Sequence, residues 1–319
     1  MKNKKIIIFG KDGQLGKEVQ EQFLRDKTYN VISFNKYEVD IKIISQIENV
    51  VKDIKPDIII NCAAYTNVDA TEINPGLGSL INTHGVANVA KNAFENNAFL
   101  IHISTDYVYN GEEQKQPLSH KKNFEEEKPL NNYGLTKLFG EKHIEKIFVD
   151  NPNDYLILRT SGLYGRFGQN NLLKKIENLC FSDKKFTPLV INDQKYCPTS
   201  ALQLARQIKK ISDISKDERR GIISKEGNIL NVCSTEWTTP YQFLQKYFIL
   251  KNNFDFADRL KQISMNDYLD LLKSKNPKNI QTKRPKWVIL ENEIANRYNE
   301  INCMTNQTDA IEEYINITK

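Results

Sequence analysis

Ile6-Ile7-Ile8-Phe9-Gly10-Lys11-Asp12-Gly13-Gln14-Leu15-Gly16 is the stretch that decides the fold. Its first four residues are β-branched or aromatic with no polar interruption, the pattern of a short strand buried on both faces. Glycines at 10, 13 and 16 follow at once, and Leu15, Val19, Phe23 and Leu24 then fall at helical spacing. In the order strand, G-x-x-G-x-x-G, helix, the glycines permit a tight turn and let a pyrophosphate reach the N–H groups of the helix start with no Cβ in the way. Gly10, Gly13, Gln14, Leu15 and Gly16 are therefore expected around a dinucleotide. The plainer alternative is a glycine-rich turn that binds nothing.

The unit repeats along the chain. A second strand spans Asn30 to Phe34 and ends at Asn35-Lys36, where such a fold offers the ribose a carboxylate about twenty residues past the glycines. None stands there. Lys36, with Lys11, could instead meet a 2′-phosphate, which favours NADPH and leaves NADH open; solvated surface lysines are an equal alternative. Asp40-Ile41 precede a helical stretch near Ile43 to Val51, and Asp57 to Asn61 is a strong strand. Cys62-Ala63-Ala64-Tyr65 then places small residues where bulky ones would obstruct a cofactor lying across the strand ends.

Asn82 to Asn96 has helical periodicity, and Phe99 to Ile103 is a fourth strand running into Ser104-Thr105-Asp106-Tyr107. Hydroxyls at the carboxyl end of a strand in an open α/β sheet stand where ligands bind. His102, inside the strand, is expected to be a packed core histidine. Tyr133 and Lys137 sit four apart in Asn132-Tyr133-Gly134-Leu135-Thr136-Lys137, on one face of a helix. An ammonium near a tyrosine favours the phenolate and eases proton transfer, so the pair is a candidate acid/base engine. An exposed helical pair is the ordinary alternative.

Alternating strands and helices predict an α/β fold, a Rossmann-like doubly wound parallel sheet, with residues 1–161 as an NAD(P)-binding domain. Residues 162–319 are expected to form a smaller C-terminal substrate-binding domain. A helix at Ala201 to Ile211 and a strand at Ile229 to Val232 return from it to the sheet.

Composition is globular: 319 residues, 39% hydrophobic and 27% charged. The net charge of +5 comes from 45 basic and 40 acidic residues with no basic arm or block, which argues against nucleic acid. Five dispersed cysteines without C-x-x-C suggest neither a disulfide framework nor a metal site. With no signal-like or membrane-length apolar run, a cytoplasmic protein is expected.

Taken together, the chain resembles the dTDP-4-dehydrorhamnose reductase family of the extended short-chain dehydrogenase/reductase superfamily. The likeness rests on Gly10 to Gly16, Asn61 to Asp69, Ser104 to Tyr109, Pro129 to Lys137 and Ile191 to Gln194, in this order. It implies an NAD(P)H-dependent ketoreductase acting on a nucleotide-diphosphate sugar, such as a 4-keto-6-deoxy-hexulose of dTDP-rhamnose and cell-surface polysaccharide biosynthesis. By the resemblance Tyr133 protonates the substrate oxygen, Lys137 holds the ribose and tunes Tyr133, and Thr105 hydrogen-bonds the same oxygen. Ala63, Ala64, Tyr65, Asp40 and Ile41 would contact the cofactor. Asn171, Gln194 and Arg284 would contact the sugar nucleotide, and a guanidinium suits a diphosphate. A homo-oligomer stays open.

There are two departures. The rhamnose-forming reductases usually carry Trp after Arg-Thr-Ser, where this chain has Gly162, so an aromatic wall near the sugar is expected to be missing. Lys273 to Lys283 is also longer and more basic than in the family. The alternative on the same fold is a non-catalytic regulatory subunit resembling the methionine adenosyltransferase beta subunit.

Overall fold

A computed structural model describes residues 3–111, 117–118, 125, 127–168, 171–183, 185–275 and 282–319. Lys121, Lys122 and Glu126 of the charged loop lie outside the described residues, as do Gln169, Asn170 and residues 276–281 of the basic stretch. The strands are β1 (Lys4–Phe9), β2 (Tyr29–Phe34), β3 (Ile58–Asn61), β4 (Phe99–Thr105), β5 (Tyr155–Thr160), β6 (Leu189–Ile191), β7 (Lys195–Tyr196), β8 (Ile229–Asn231), β9 (Lys261–Ile263) and β10 (Trp287–Val288). Six make one sheet in the order β2-β1-β3-β4-β5-β8, every pair parallel.

The unbroken apolar runs explain why both faces of this sheet are covered. Side chains alternate across a strand, so Ile6 and Ile8 enter one core while Ile7 and Phe9 enter the other. The first core is closed by Leu15, Val19 and Phe23 of the Gln14–Leu24 helix and by Leu204, Ala205 and Ile208 of the Ala201–Asp213 helix. The second is closed by Ile47 and Val51, by Val86, Val89 and Ala93, and by Ile144 of the Asn132–Ile147 helix. Helices on both faces of a parallel sheet are the doubly wound arrangement.

A third core gathers Tyr164, Leu173, Phe243, Leu244, Tyr247, Phe248 and Tyr314, from segments after β5. Two short parallel sheets, β6 with β9 and β7 with β10, lie in this later part of the chain. Among the described residues no helix is long and apolar enough to cross a membrane.

Charged groups sit deep in the body. Arg159 on β5 is fully buried, and its Nε lies 3.1 and 3.2 Å from the two carboxylate oxygens of Glu141, which is also fully buried. Its Nη1 donates to Glu127 at 2.7 Å and to the Tyr109 hydroxyl at 2.9 Å. Burial opposes the guanidinium's charge, but Glu141 and its other partners hold it firmly protonated. Removing one partner of such a pair leaves a buried charge without compensation. Arg159→Met is expected to cost about 3 to 5 kcal/mol of stability, read from urea unfolding. A loss well below ~1 kcal/mol would contradict the buried pairing.

Candidate active site

The carboxyl ends of β1, β3, β4 and β5 open onto one cleft of about 630 Å³. In the turn after β1, Gly10 has φ +85°, and a Cβ there would come within 2.7 to 2.9 Å of the Cys62-Ala63 backbone. At Gly16 a Cβ would lie 2.1 Å from the Gly10 carbonyl oxygen. These two glycines therefore hold the turn closed, while Gly13, Gln14 and Leu15 face the cleft. The helix starting at Gln14 has no side-chain cap, so its first N–H groups are left for an anion.

The same cleft is lined by Ser104, Thr105, Asp106, Tyr133 and Lys137. Thr105 ends β4, and its hydroxyl lies 3.0 Å from Asp106 Oδ1. The Asn131 side chain caps the Asn132–Ile147 helix by accepting from Gly134 N at 2.9 Å. This start points Tyr133 and Lys137 at the end of β4. Tyr133 packs edge-on against Tyr107, ring centroids 5.6 Å apart. Burial pushes its phenol pKa up, and the Thr105 hydroxyl pulls the other way.

Lys137 is only 1% exposed and donates to the Ile103 carbonyl at 2.7 Å. Its Nζ also lies 3.2 Å from His102 Nε2, while Asn61 Nδ2 lies 3.2 Å from His102 Nδ1. His102 is thus the buried core histidine expected, and it is also a neighbour of Lys137, a contact that its place inside a strand did not reveal. Burial drives the imidazole's pKa far down, so the ring is neutral. Burial also lowers the Lys137 ammonium to about 8, against an upward pull from Glu141. Asp106, which accepts from Ser161 at 2.6 Å, is pushed up to about 6 by burial.

The other expected residues are placed less directly. Ala64 and Asn171 line the cleft; Lys36, Asp40, Ile41, Ala63, Tyr65, Gln194 and Arg284 are not on its wall. The Tyr65 backbone is held at both ends by Asn82, whose Oδ1 accepts from Tyr65 N and whose Nδ2 donates to Tyr65 O. The Ile41 side chain is buried in the second core, and Asp40 accepts from Lys42 N. Lys36 is exposed over the Tyr37 ring, while Lys11 is held at 2.6 Å by Glu38. Glu38 is a carboxylate near the end of β2 that counting along the strand had missed. Asn171 donates to Gln14 Oε1 at 2.7 Å, and Gln194 to the Pro285 carbonyl at 3.0 Å. Arg284 makes two bonds to Asp69, at 2.8 and 2.9 Å.

The family sequence model described as "RmlD substrate binding domain" matches residues 4–316. The chain belongs to that family. The resemblance to dTDP-4-dehydrorhamnose reductases seen in its motifs is borne out by its relatives. One bearing that name in Salmonella typhimurium is 37% identical over 207 residues, 63% of this chain and 64% of that relative's length. Another in Sinorhizobium fredii is 32% identical over 230 residues, 70% of this chain and 73% of its own. The chain therefore spans just under two thirds of the first of these relatives. Two crystal structures of dTDP-4-dehydrorhamnose reductases cover nearly all of both chains. That from Clostridium acetobutylicum has a TM-score of 0.82 at 30% identity, covering 98% of this chain and 99% of its own. That from Bacillus anthracis, solved in complex with NADP, has a TM-score of 0.81 at 31% identity, covering 99% and 100%.

The low Lys137 pKa is directly measurable. In NMR of the protein labelled with ¹³C at lysine Cε, one resonance is expected to titrate near pH 8 and to vanish in Lys137→Arg. An unfolded lysine keeps its proton to about 10.5, so between about pH 8 and 10.5 the unfolded chain binds more protons and this site's contribution to stability rises with pH. A spectrum in which every lysine titrates near 10.5 would contradict the burial.

Proposed function

We propose that the protein is an NADPH-dependent reductase of the 4-keto group of a nucleotide-linked 6-deoxy-hexulose, with dTDP-4-dehydrorhamnose going to dTDP-L-rhamnose as the leading case. The observation that carries this reading is that Thr105, Tyr133 and Lys137 line one cleft together with Gly13, Gln14 and Leu15 of the glycine turn. The residues fit a dinucleotide: an uncapped helix start for the pyrophosphate, no side chain at Gly13, and small Ala64 beside them. When bound, NADPH supplies the hydride.

The chain's own residues supply the rest. Tyr133 gives its proton to the substrate oxygen as the carbonyl is reduced, and Thr105 donates a hydrogen bond to the same oxygen. Lys137, charged at neutral pH with a pKa of about 8, stabilises the phenolate that Tyr133 leaves behind and offers its remaining N–H to the ribose. Asn171 meets the sugar nucleotide from the cleft wall, while Gln194 and Arg284 reach it from beyond that wall, Arg284 exchanging Asp69 for a diphosphate oxygen. The complete set of three catalytic groups and the reductase names of the relatives favour this reading over the regulatory subunit. NADH is the second cofactor reading, because Glu38 is present near the end of β2 and already engages Lys11. A cytoplasmic protein acting on a soluble sugar nucleotide, as a monomer or homo-oligomer, fits this chemistry.

Gly13→Val is expected to fold normally and to abolish NADPH binding in calorimetry, since the added side chain would fill the cleft floor. Unchanged affinity would remove the dinucleotide from this turn. Tyr133→Phe keeps the ring and removes the proton, so kcat should fall roughly 10²- to 10⁴-fold with little change in cofactor affinity. The assay is NADPH oxidation against dTDP-, GDP- and UDP-linked 4-keto-6-deoxy sugars. Normal turnover by Tyr133→Phe would sink the mechanism, and no turnover by the wild type on any of them would favour the regulatory subunit.

A further inference from the structure

Gly162 lines the cleft with Asp106 and Thr160 and has a left-handed φ of +52°. A Cβ placed there would lie 2.3 Å from Cε2 and 2.5 Å from Cδ2 of Tyr196. No real Cβ tolerates such contacts, so the Tyr196 ring occupies the space that a side chain at 162 would take. Any larger residue following Arg159-Thr160-Ser161 and the Tyr196 ring exclude each other.

Tyr196 is held rigidly. It lies on β7 beside Val288 of β10, its backbone exchanges hydrogen bonds with Thr238 at 3.0 and 2.9 Å, and its ring stands edge-on to Phe243. Its hydroxyl has no hydrogen-bond partner among the described residues. Burial raises the phenol's pKa, so this group is a donor throughout the working pH range. Tyr196 is not itself on the cleft wall; its ring packs directly behind Gly162, which is. A fixed ring with a spare donor at such a wall suits a hexose, which has apolar ring faces and a rim of hydroxyls.

We propose that Tyr196 is a specificity-determining residue for the sugar, its ring backing the cleft at Gly162 and its hydroxyl donating to a sugar oxygen. The aromatic wall that Gly162 removes from the loop after β5 is thereby supplied from β7. This rests on the reductase reading above and deepens it, since it assigns a sugar contact to a position outside the expected set Asn171, Gln194 and Arg284.

The test compares wild type, Tyr196→Phe, Tyr196→Ala and Gly162→Ala, measuring NADPH affinity by fluorescence and kcat and KM on the same sugar-nucleotide panel. Tyr196→Ala is expected to raise KM for the best sugar roughly 10- to 100-fold and to flatten the ranking of the panel, the loss of one aromatic contact and one hydrogen bond. Tyr196→Phe should lose about 3- to 10-fold, the hydrogen bond alone. Gly162→Ala, which displaces the ring, should follow Tyr196→Ala. NADPH affinity should stay within about twofold of wild type in all three, with kcat little changed. An unchanged KM and panel ranking in Tyr196→Ala overturns the proposal, as does a matching loss of NADPH affinity, which would make the ring a general support. If Tyr196→Ala does not fold, an unchanged KM in Tyr196→Phe overturns the hydroxyl's role. A wild type that binds NADPH but neither binds nor reduces any sugar nucleotide overturns the reductase reading, and the Tyr196 assignment with it.

Discussion

The position of the Asn132–Ile147 helix depends on Glu141. It lies one helical turn beyond Lys137 and is gripped from two adjacent strands, by the Ser104 hydroxyl at the end of β4 and by Arg159 on β5. The sheet register pairs Ser104 with Arg159, so both donors reach one carboxylate from neighbouring strands. A slip or rotation of the Asn132–Ile147 helix would pull that carboxylate from both and leave a charge buried without a partner, at a cost of several kcal/mol. Measured against well-packed apolar residues, such a buried pair contributes little net stability. Its effect here is to permit one register, and that register presents Tyr133 and Lys137 to Thr105.

The parts of the molecule legible in the sequence are those set by local rules. Ile6 to Phe9, Ile58 to Ile60 and Phe99 to Ile101 announce buried strands because a sheet covered on both faces demands uninterrupted apolar runs. The glycine turn, the hydroxyl ending β4 and the i, i+4 tyrosine and lysine are equally local. The buried polar groups behind them are not. His102 meets Lys137 across 35 residues and Asn61 across 41, and Arg159 meets Glu141 across 18, and no periodicity reports such pairings. Glu38 escaped notice for a different reason: a turn after β2, with Asn35 N–H donating to the Glu38 carboxylate at 2.8 Å, folds it back toward Lys11. Counting residues along an extended strand cannot see a turn that doubles back.

The side chains expected to hold the sugar nucleotide are each engaged within the protein, and the energetics of those engagements differ. Arg284 binds Asp69, whose side chain is 58% exposed, and a pair so open to solvent is worth about 0 to 1 kcal/mol. Exchanging that carboxylate for a doubly bound phosphate costs little. Arg166 offers the contrast, because its partner Glu18 is fully buried and would be stranded if the arginine left. Of the two arginines, then, Arg284 is free to change partners and Arg166 is structural. Asn171 is intermediate: its Oδ1 caps the Leu172–Ser182 helix while its amide bridges to Gln14, so it joins the glycine-turn helix to the segment after β5.

Lys137 must satisfy two opposed demands. It is buried on the cleft wall, one helical turn beyond Tyr133, and burial works against its proton. The proposed reduction requires it to carry that proton. The Ile103 carbonyl accepts one of its three hydrogens, and the neighbouring Glu141 carboxylate supplies the opposing field that keeps the pKa at about 8. Glu141 therefore fixes both the place of the lysine and its charge. Arg159 in turn opposes Glu141, since a guanidinium at hydrogen-bond distance cancels part of the carboxylate's field. Arg159, Glu141 and Lys137 thus form a chain of three buried charged groups, of which only the last lines the cleft.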